Sequence, residues 1–360
     1  MIVGGKNITT IWYDSKNDDI KIIDQRFLPH ELKIVSLKNL EQTIFAIKEM
    51  QVRGAPLIGV TAAYGLYLAS KNDHSLEKLI QSGNLLKKAR PTAVNLSWAV
   101  DKIIFEIKKN YNKNINKLIL KLANKIRDDD IKSCSSIGEN GLILIEDIYK
   151  RKKSTINILT HCNAGWLAAV DWGTALSPIY KANYKNIPMH IWVDETRPRN
   201  QGFNLTAWEL INENISNSLV VDNAGGHLMQ KGLVDLCITG TDRTALNGDV
   251  CNKIGTYLKA LAAFDNSIPF YVAAPISSID FNIKDGLNEI PIEERNSEEI
   301  SVVNGLTADG KKNNVYITPK NAVCKNYAFD VTPAKYISKI ITEKKIIDAN
   351  VESILGLKNL

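Results

Sequence analysis

The sequence predicts an α/β protein built in two parts. We expect a mostly helical N-terminal domain with a small β-sheet over residues 1–150, and a Rossmann-like parallel-sheet domain over residues 151–360. Three observations predict this arrangement. The 360 residues exceed the roughly 250–300 residues at which single cores stop growing. Apolar residues recur at helical spacing before residue 150. After Arg151-Lys152-Lys153 they form short runs that alternate with helical patterns, which is typical of a parallel sheet.

The N-terminal part begins with three short runs of β character, TTIWY, IKIID and KIVSL, which favour a small sheet. A helix is predicted to follow, because Leu40, Ile44 and Ile47 fall on one helical face. Asn39 and Gln42 have the spacing of a capping box at its start. The same apolar spacing recurs up to residue 150, so we expect helices through this part.

The C-terminal part contains five apolar runs, each stopped by a polar or glycine-rich turn: TINILT, MHIWVD, SLVVD, VDLCITG and PFYVAAP. Parallel sheets bind ligands beyond the carboxyl ends of their strands, where helix N-termini also direct their amides. The residues that follow the runs are His161-Cys162-Asn163, Asp194-Glu195-Thr196-Arg197, Asp222-Asn223, Thr241-Asp242-Arg243 and Ala274-Pro275. Single polar residues at turns are common, but this convergence predicts a site.

Composition excludes several classes of protein. Hydrophobic residues make up 44% of the chain and charged residues 23%, as in ordinary globular proteins. The five cysteines show no C-x-x-C, so neither a disulfide framework nor a zinc site is expected, and a reducing cytoplasm fits. No stretch approaches the ~18–20 apolar residues that cross a bilayer, and no export signal is evident. The net charge of +6 is spread along the chain, so we expect no nucleic-acid partner.

Cys162 is a candidate nucleophile or base. It follows a predicted strand and precedes a predicted helix, and a helix N-terminus would lower the pKa of its thiol from about 8.5 toward neutrality. The alternative is that this cysteine is a small buried hydrophobic residue. Its polar neighbours His161 and Asn163 argue against a dry pocket. Adjacent strand residues point to opposite faces, so His161 is given no catalytic role.

Asp242 is a candidate general acid. It lies between the run VDLCITG and the turn Asn247-Gly248-Asp249. Desolvation at the mouth of an apolar strand would raise the pKa of its carboxyl, which suits proton donation near neutral pH. The alternative is a helix cap.

Asn252-Lys253 is predicted to open the next helix. A lysine in a first turn is opposed by the helix dipole, which favours a functional reason such as a shared anion. The predicted buried stripe of this helix consists of Ile254, Tyr257, Leu258 and Leu261.

Two arginines complete a candidate phosphate clamp. Arg53 precedes a predicted helix with Pro56 in its first turn, and Gly54 lets backbone approach a ligand closely. Arg90 occupies the same position before Pro91. Together with the lysine described above they would hold a phosphate. The alternative assigns the arginines to the surface and the glycines to helix packing.

Six segments resemble the methylthioribose-1-phosphate isomerase family, which is related to the regulatory subunits of a translation-initiation exchange factor. They are QVRGAPLIG, RPTAVNL, THCNAG, DETRPRNQG, GTDRTALNGDVCNKIGTY and AFDVTP. The resemblance extends from about residue 12 to residue 345. It implies isomerisation of 5-methylthioribose 1-phosphate to 5-methylthioribulose 1-phosphate in methionine salvage, by a homodimer, with no cofactor and no metal.

Carried over by residue, the resemblance implies that Cys162 and Asp242 are the catalytic pair. It implies substrate binding by Arg53, Gly54, Ala55, Arg90, Gln201, Asn252 and Lys253. The exchange-factor relatives lack the cysteine–aspartate pair as a set, which favours an enzyme. The chain departs from many members at Trp166, Trp172 and Thr241, and bulky side chains near the cysteine would reshape the pocket for the 5-substituent of the sugar.

Other functions remain open at this point. A related sugar phosphate such as 5-deoxyribose 1-phosphate is an alternative substrate, and a non-catalytic regulatory subunit is an alternative role. A dehydrogenase is disfavoured because no G-x-G-x-x-G follows the first strand of the predicted sheet. A cysteine hydrolase would need a separate base and an oxyanion hole.

Overall fold

The computed structural model describes residues 1–90, 94–111 and 114–358. Its first five strands form two small antiparallel sheets. The three β-like runs supply the strands of one of them, as predicted, whereas the other was not predicted. The strands are β1 (Ile2–Val3), β2 (Lys6–Asn7), β3 (Ile11–Asp14), β4 (Asp19–Ile23) and β5 (Ile34–Leu37). β1 pairs with β2, and β4 lies between β3 and β5. Ile11, Ile20 and Ile22 bury one face of the second sheet against the helices that follow.

Five helices follow and confirm the helical character of this part. They are α1 (Leu40–Lys48), α2 (Ala55–Asn72), α3 (Leu76–Ala89), α4 (Val94–Lys109) and α5 (Ile115–Lys152). Asn39 caps α1 as predicted, because its side chain accepts a hydrogen bond of 2.9 Å from the Gln42 amide. The Gln42 side chain instead accepts from Lys38 N at 2.8 Å. The predicted helix start at Arg90-Pro91 falls partly on residues 91–93, which lie outside the described residues.

Helix α5 contributes to two cores. Ile119 and Ala123, in its first half, pack with the helical core. Leu142 and Ile145, in its second half, pack with the core beneath the large sheet. A Cβ on Gly141 would lie 2.9 Å from the Cβ of Pro178, so glycine permits the close approach of the next helix. The division of the chain near residue 150 stays a prediction.

The remaining strands form a large sheet, a smaller sheet and a hairpin. They are β6 (Ile156–Thr160), β7 (Met189–Asp194), β8 (Asn217–Val220), β9 (Leu236–Thr239), β10 (Arg243–Ala245), β11 (Val250–Lys253), β12 (Phe270–Ala273), β13 (Ile279–Asp280), β14 (Val302–Leu306), β15 (Lys312–Tyr316), β16 (Phe329–Thr332), β17 (Lys339–Ile341) and β18 (Ile346–Ile347). The helices between and after them are α6 (Ser177–Tyr184), α7 (Ala207–Asn212), α8 (Gly225–Gln230), α9 (Thr256–Asp265), α10 (Gly286–Glu289), α11 (Glu298–Ser301) and α12 (Val351–Leu355).

The large sheet has the strand order β18-β17-β12-β9-β6-β7-β8. All of its pairings are parallel except β17 with β18. Each of the five predicted runs supplies one strand of this sheet, which confirms the parallel-sheet prediction. Because β6 and β9 are neighbours, the residues that follow them lie at the same edge.

The small sheet was not predicted, and its presence corrects one expectation. It has the order β13-β10-β11-β16, and Asn252-Lys253 ends strand β11 instead of opening a helix. Helix α9 begins at Thr256, after Gly255 with φ of 101°. The predicted stripe is also wrong, because Leu258 is 64% exposed while Lys259 and Ala260 are buried. Hence the helix-dipole argument for Lys253 does not hold.

Within the described ranges, no helix is long and apolar enough to cross a membrane.

Candidate active site

The two predicted catalytic residues line one cavity. Cys162 lies in the loop after β6, and Asp242 lies between β9 and β10. The cavity is also lined by Arg53, Gly54, Ala55 and Asn252, so six of the nine predicted site residues meet there. The small residues Ala164, Gly165, Ala168 and Ala169 form much of its remaining wall.

The other three predicted residues lie around this cavity. Arg90 lines an adjoining cavity that shares Ala55 and Asp242 as walls. Gln201 lines a third cavity, which Arg53 joins to the first. Lys253 does not line the central cavity, and its Nζ donates a hydrogen bond of 2.8 Å to Ala328 O.

Cys162 is held by its backbone. Its φ is 66°, in the left-handed region, so the chain turns sharply after β6. The amide N donates to Thr196 Oγ1 at 2.8 Å, and the carbonyl accepts from Thr206 Oγ1 at 2.6 Å. These bonds fix the direction of the thiol, and Arg53 Nη2 lies 3.9 Å from its Sγ.

The expected lowering of the Cys162 pKa is wrong. Burial raises the pKa of this thiol, and the positive charges of Arg53 and Lys253 oppose the rise only in part. The physical reason is that no α-helix begins at the cysteine. A single 3-10 turn, Trp166–Ala168, follows it, and α6 begins only at Ser177.

Arg53 is oriented by the loop that carries the cysteine. Its Nη1 donates to Asn163 Oδ1 at 2.6 Å, and its Nη2 donates to Asn163 O at 2.7 Å. Helix α2 then begins at Ala55, with proline in its first turn as predicted. Gly54 has φ of 92°, and a Cβ there would lie 2.5 Å from Ala168 Cα. Glycine is therefore required where the helical part meets this loop.

Arg90 and Lys253 are buried cations that interact electrostatically with Asp242. Burial lowers the pKa of Arg90, and the charges of Glu293 and Asp242 oppose this effect. Burial likewise lowers the pKa of Lys253, which the charges of Cys162 and Asp242 oppose. Arg90 Nε is buried and has no hydrogen-bond partner among the described residues. Such a group suits an anionic ligand.

Asp242 is half-buried and is fixed by its backbone. Its amide N donates to Cys251 O at 2.9 Å, and Thr241 Oγ1 donates to the same carbonyl at 3.1 Å. The hairpin of β10 and β11 thus presents the Asp242 carboxyl to the cavity. Its role as a general acid stays a prediction.

His161 points into a buried ionic network. Its Nδ1 lies 2.9 Å from Asp194 Oδ2, and its Nε2 lies 2.8 Å from Ile254 O. Lys259 Nζ lies 3.2 Å from the same Asp194 oxygen. His161, Asp194 and Asp222 each offer a ligand atom within 4.8 Å of the others. The Lys259 ammonium, however, already pairs with Asp194, so a structural ion network explains this cluster better than a metal site.

The expected effect of the two tryptophans is not supported. Trp166 is buried and packs on Trp208, with ring centroids 6.0 Å apart. Trp172 packs on Tyr184 at 6.0 Å. Neither lines the central cavity, whereas Thr241 does.

Three residues of this site were missed at the sequence level: Asn163 as the partner of Arg53, Thr206, and the buried Glu209. The pairing of Asn163 with Arg53 joins positions 110 apart. Sequence spacing carries no signal for such a pair.

Comparison with known proteins agrees with this fold. Residues 51–349 match the model of the initiation factor 2 subunit family. A methylthioribose-1-phosphate isomerase from Paramagnetospirillum magneticum is 51% identical and covers 99% of each chain. One from Methylocella silvestris is 52% identical, over 98% of this chain and 97% of that protein.

Two solved structures are similar over nearly the whole chain. 5-Methylthioribose 1-phosphate isomerase from Pyrococcus horikoshii has a TM-score of 0.84 and 38% identity, covering 98% of this chain and 96% of that one. Subunit delta of translation initiation factor eIF-2B from A. fulgidus has a TM-score of 0.79 and 35% identity, covering 97% and 100%. The chain therefore belongs to the initiation factor 2 subunit family.

Proposed function

We propose that this protein isomerises 5-methylthioribose 1-phosphate to 5-methylthioribulose 1-phosphate, an aldose–ketose isomerisation of methionine salvage. The observation that carries the proposal is the single cavity that holds Cys162 and Asp242 beside the guanidinium of Arg53. Relatives that are 51% and 52% identical over almost their full length bear the name of this enzyme.

The chemistry explains why these residue types are needed. A sugar with a phosphorylated anomeric oxygen cannot open spontaneously to an aldehyde, so the ring oxygen needs an acid. We assign that proton to Asp242. The phosphate is assigned to Arg53, the amides of Gly54 and Ala55 at the start of α2, Arg90, and Asn252 with Lys253. Gln201 lines a neighbouring cavity, of which Arg53 is also a wall, and we assign it a contact with the substrate from that side.

Two routes complete the reaction. In the first, Asp242 protonates the ring oxygen and the C1–O4 bond breaks. Cys162 as thiolate removes the C2 proton to give an enol and returns a proton to C1, while the C2 hydroxyl proton passes to the Asp242 carboxylate. In the second, Asp242 protonates the ring oxygen, the C1–O4 bond breaks, a hydride moves from C2 to C1, and the C2 hydroxyl proton passes to the Asp242 carboxylate. In this second route, Cys162 stabilises the transition state of the hydride transfer. The raised pKa of the buried thiol supports the hydride route, because few thiolates are present at neutral pH.

Turnover in deuterated water separates the routes. The hydride route predicts a product without deuterium at C1. Deuterium at C1 would instead assign the C2 proton to a base that exchanges with solvent. Proton NMR of the product at early conversion measures this directly.

The role of the pair is tested by Cys162→Ser and Asp242→Asn. We expect both variants to fold and to lose on the order of 10²–10⁴-fold in kcat, as for loss of a positioned acid or base. The affinity for the phosphate group of the substrate should stay close to that of the unchanged protein, because the cations assigned to it belong to Arg53, Arg90 and Lys253, which neither variant changes. Cys251→Ala is the control, since it removes a second buried thiol near Asp242. Normal kcat in either site variant would contradict the assignment.

The 5-substituent is tested with 5-deoxyribose 1-phosphate. A higher kcat/KM for the 5-methylthio substrate supports the proposed substrate, and equal values would favour a broader sugar-phosphate isomerase. We further propose a cytoplasmic homodimer that needs no cofactor. Sedimentation equilibrium measures the dimeric state, and activity after exhaustive dialysis measures the independence from a cofactor.

A regulatory subunit is the second candidate function, because subunit delta of eIF-2B from A. fulgidus is 35% identical over nearly the whole chain. That role predicts no turnover and stable binding to other subunits. Conversion of 5-methylthioribose 1-phosphate by the purified protein would exclude a purely regulatory role.

A further inference from the structure

Glu209 is a buried carboxyl group that the proposed reaction does not use. It lies on α7, directly after a π-helical segment, Gly202–Thr206, and it is 0% exposed. Burial raises its pKa to about 7, although the hydrogen bonds it accepts lower it. Removing a carboxyl group from water is costly, and such groups persist where they are fully hydrogen-bonded.

Four donors converge on this carboxyl group. Asn163 Nδ2 and Leu167 N donate to Oε1 at 2.8 and 3.1 Å. Trp166 N and Tyr180 Oη donate to Oε2 at 2.9 and 2.5 Å. Three of the four donors belong to the loop that also carries Cys162.

The loop is shaped around the carboxyl group. A Cβ on Gly165 would lie 2.5 Å from Glu209 Cδ, so only glycine fits at this position. The backbone of residues 163–167 therefore packs directly against the Glu209 side chain. Three residues of this segment donate hydrogen bonds to its carboxyl group, which fixes their arrangement.

Asn163 transmits this arrangement to Arg53. Because Asn163 Nδ2 donates to Glu209, its Oδ1 must face the opposite way. There it accepts from Arg53 Nη1 at 2.6 Å, while Asn163 O accepts from Nη2 at 2.7 Å. The same Nη2 lies 3.9 Å from Cys162 Sγ. A chain of direct contacts thus leads from the buried carboxyl group to the thiol.

We infer that Glu209 is a positioning residue for the active site: through Asn163 it holds the Arg53 guanidinium against the Cys162 sulfur. Its kinetic consequence rests on the proposed function, whereas its effect on the thiol does not. The guanidinium lowers the pKa of Cys162 against the effect of burial. Loss of the positioning residue therefore makes this thiol harder to ionise.

The pH dependence of Cys162 alkylation by iodoacetamide tests this, with mass spectrometry to identify the modified peptide. All variants carry Cys324→Ser, because Cys324 is the most exposed of the cysteines. Glu209→Asp shortens the side chain by one methylene and keeps its charge. We expect its alkylation midpoint to rise by about one pH unit, as for a cation withdrawn from contact distance. The kcat/KM is expected to fall about 10–100-fold.

Tyr180→Phe is the matched control. It removes one buried hydrogen bond from the same carboxyl group but leaves Asn163 in place, so the alkylation midpoint should stay within about 0.3 pH unit of the parent value. In an Arg53→Met background the parent midpoint should already be raised, and Glu209→Asp should add nothing further. Asn163→Ala removes the intermediate contact and should reproduce the shift if Glu209→Asp fails to fold.

The outcomes separate the two proposals. A folded Glu209→Asp or Asn163→Ala variant with an unchanged midpoint overturns the positioning role, as does a full additive shift in the Arg53→Met background. Shifted midpoints in a protein that does not turn over 5-methylthioribose 1-phosphate would sustain the positioning role and overturn the proposed function.

Discussion

Replacing Gly54 by alanine tests the contact that joins the helical part to the cysteine loop. A Cβ on this residue would lie 2.5 Å from Ala168 Cα and 2.6 Å from Ala168 Cβ. Ordinary carbon–carbon separations are roughly 3.5–4.0 Å, so one backbone must move by about 1 Å. Gly54 also has φ of 92°, where a non-glycine residue costs about 1–3 kcal/mol.

The substitution is expected to lower catalysis as well as stability. Arg53 precedes Gly54 directly, so a displacement of about 1 Å moves its guanidinium away from the thiol. A misplacement of that size can reduce turnover by about 10²-fold. We therefore expect Gly54→Ala to lower kcat/KM about 100-fold, with a decrease of about 2–6 kcal/mol in the free energy of unfolding from backbone strain and overpacking together.

Gly232→Ala is the control. Gly232 also has a positive φ, 66°, but nothing lies within 4 Å of its added Cβ. This variant should lose about 1–3 kcal/mol, from backbone strain alone, and keep its activity. Steady-state kinetics and urea denaturation measure both quantities. Wild-type kcat/KM in a folded Gly54→Ala protein would refute the argument that this contact positions Arg53.

Two further predictions concern buried charges. Burial raises the pKa of Asp130 from 3.8 to about 7, so its contribution to stability is full below about pH 4 and is lost as the pH rises through 7. Asp130→Asn should match the unchanged protein near pH 4 and exceed its unfolding free energy by roughly 4 kcal/mol at pH 8. Asp129→Asn is the control, and equal curves for the unchanged protein and Asp130→Asn would contradict the prediction. Lys259→Met leaves Asp194 without its ammonium partner, 3.2 Å away, and should lower the free energy of unfolding by about 3–5 kcal/mol in urea denaturation. Adding Asp194→Asn should recover part of this loss, and no recovery would argue against the pair.

The large sheet could be predicted because its strands are continuous apolar runs. Parallel strands covered on both faces need such runs, and each of the five contributes one strand. The polar residues that follow these runs also predict that Cys162 and Asp242 meet, and they do so because β6 and β9 are neighbours whose carboxyl ends share an edge.

The small sheet and the hairpin could not be predicted in the same way. Strand β11, VCNK, combines two apolar and two polar residues, all of them buried. The pattern VCNKIGTY therefore resembles the start of a helix. In the structure, Gly255 has a positive φ and turns the chain before the helix begins. Strand β15, KNNVY, is exposed throughout and mostly polar, and β14 is only partly buried, so no apolar alternation marks the hairpin.

The protonation state of Cys162 depended on tertiary structure. The sequence places a turn and small residues after the cysteine, which suggests a helix start. The pKa is instead set by burial and by Arg53, which lies 109 positions away. Glu209 was missed for the same reason, because its donors come from the cysteine loop and from helix α6, and nothing near it in the chain indicates them.

Helix α5 also limits how the molecule can move. Its 38 residues form one rod of roughly 57 Å at 1.5 Å per residue, and its two halves are anchored in separate cores. A hinge motion between these two cores would have to bend this rod or withdraw one of its ends from its core. The distance between the two cores is therefore set by one continuous helix.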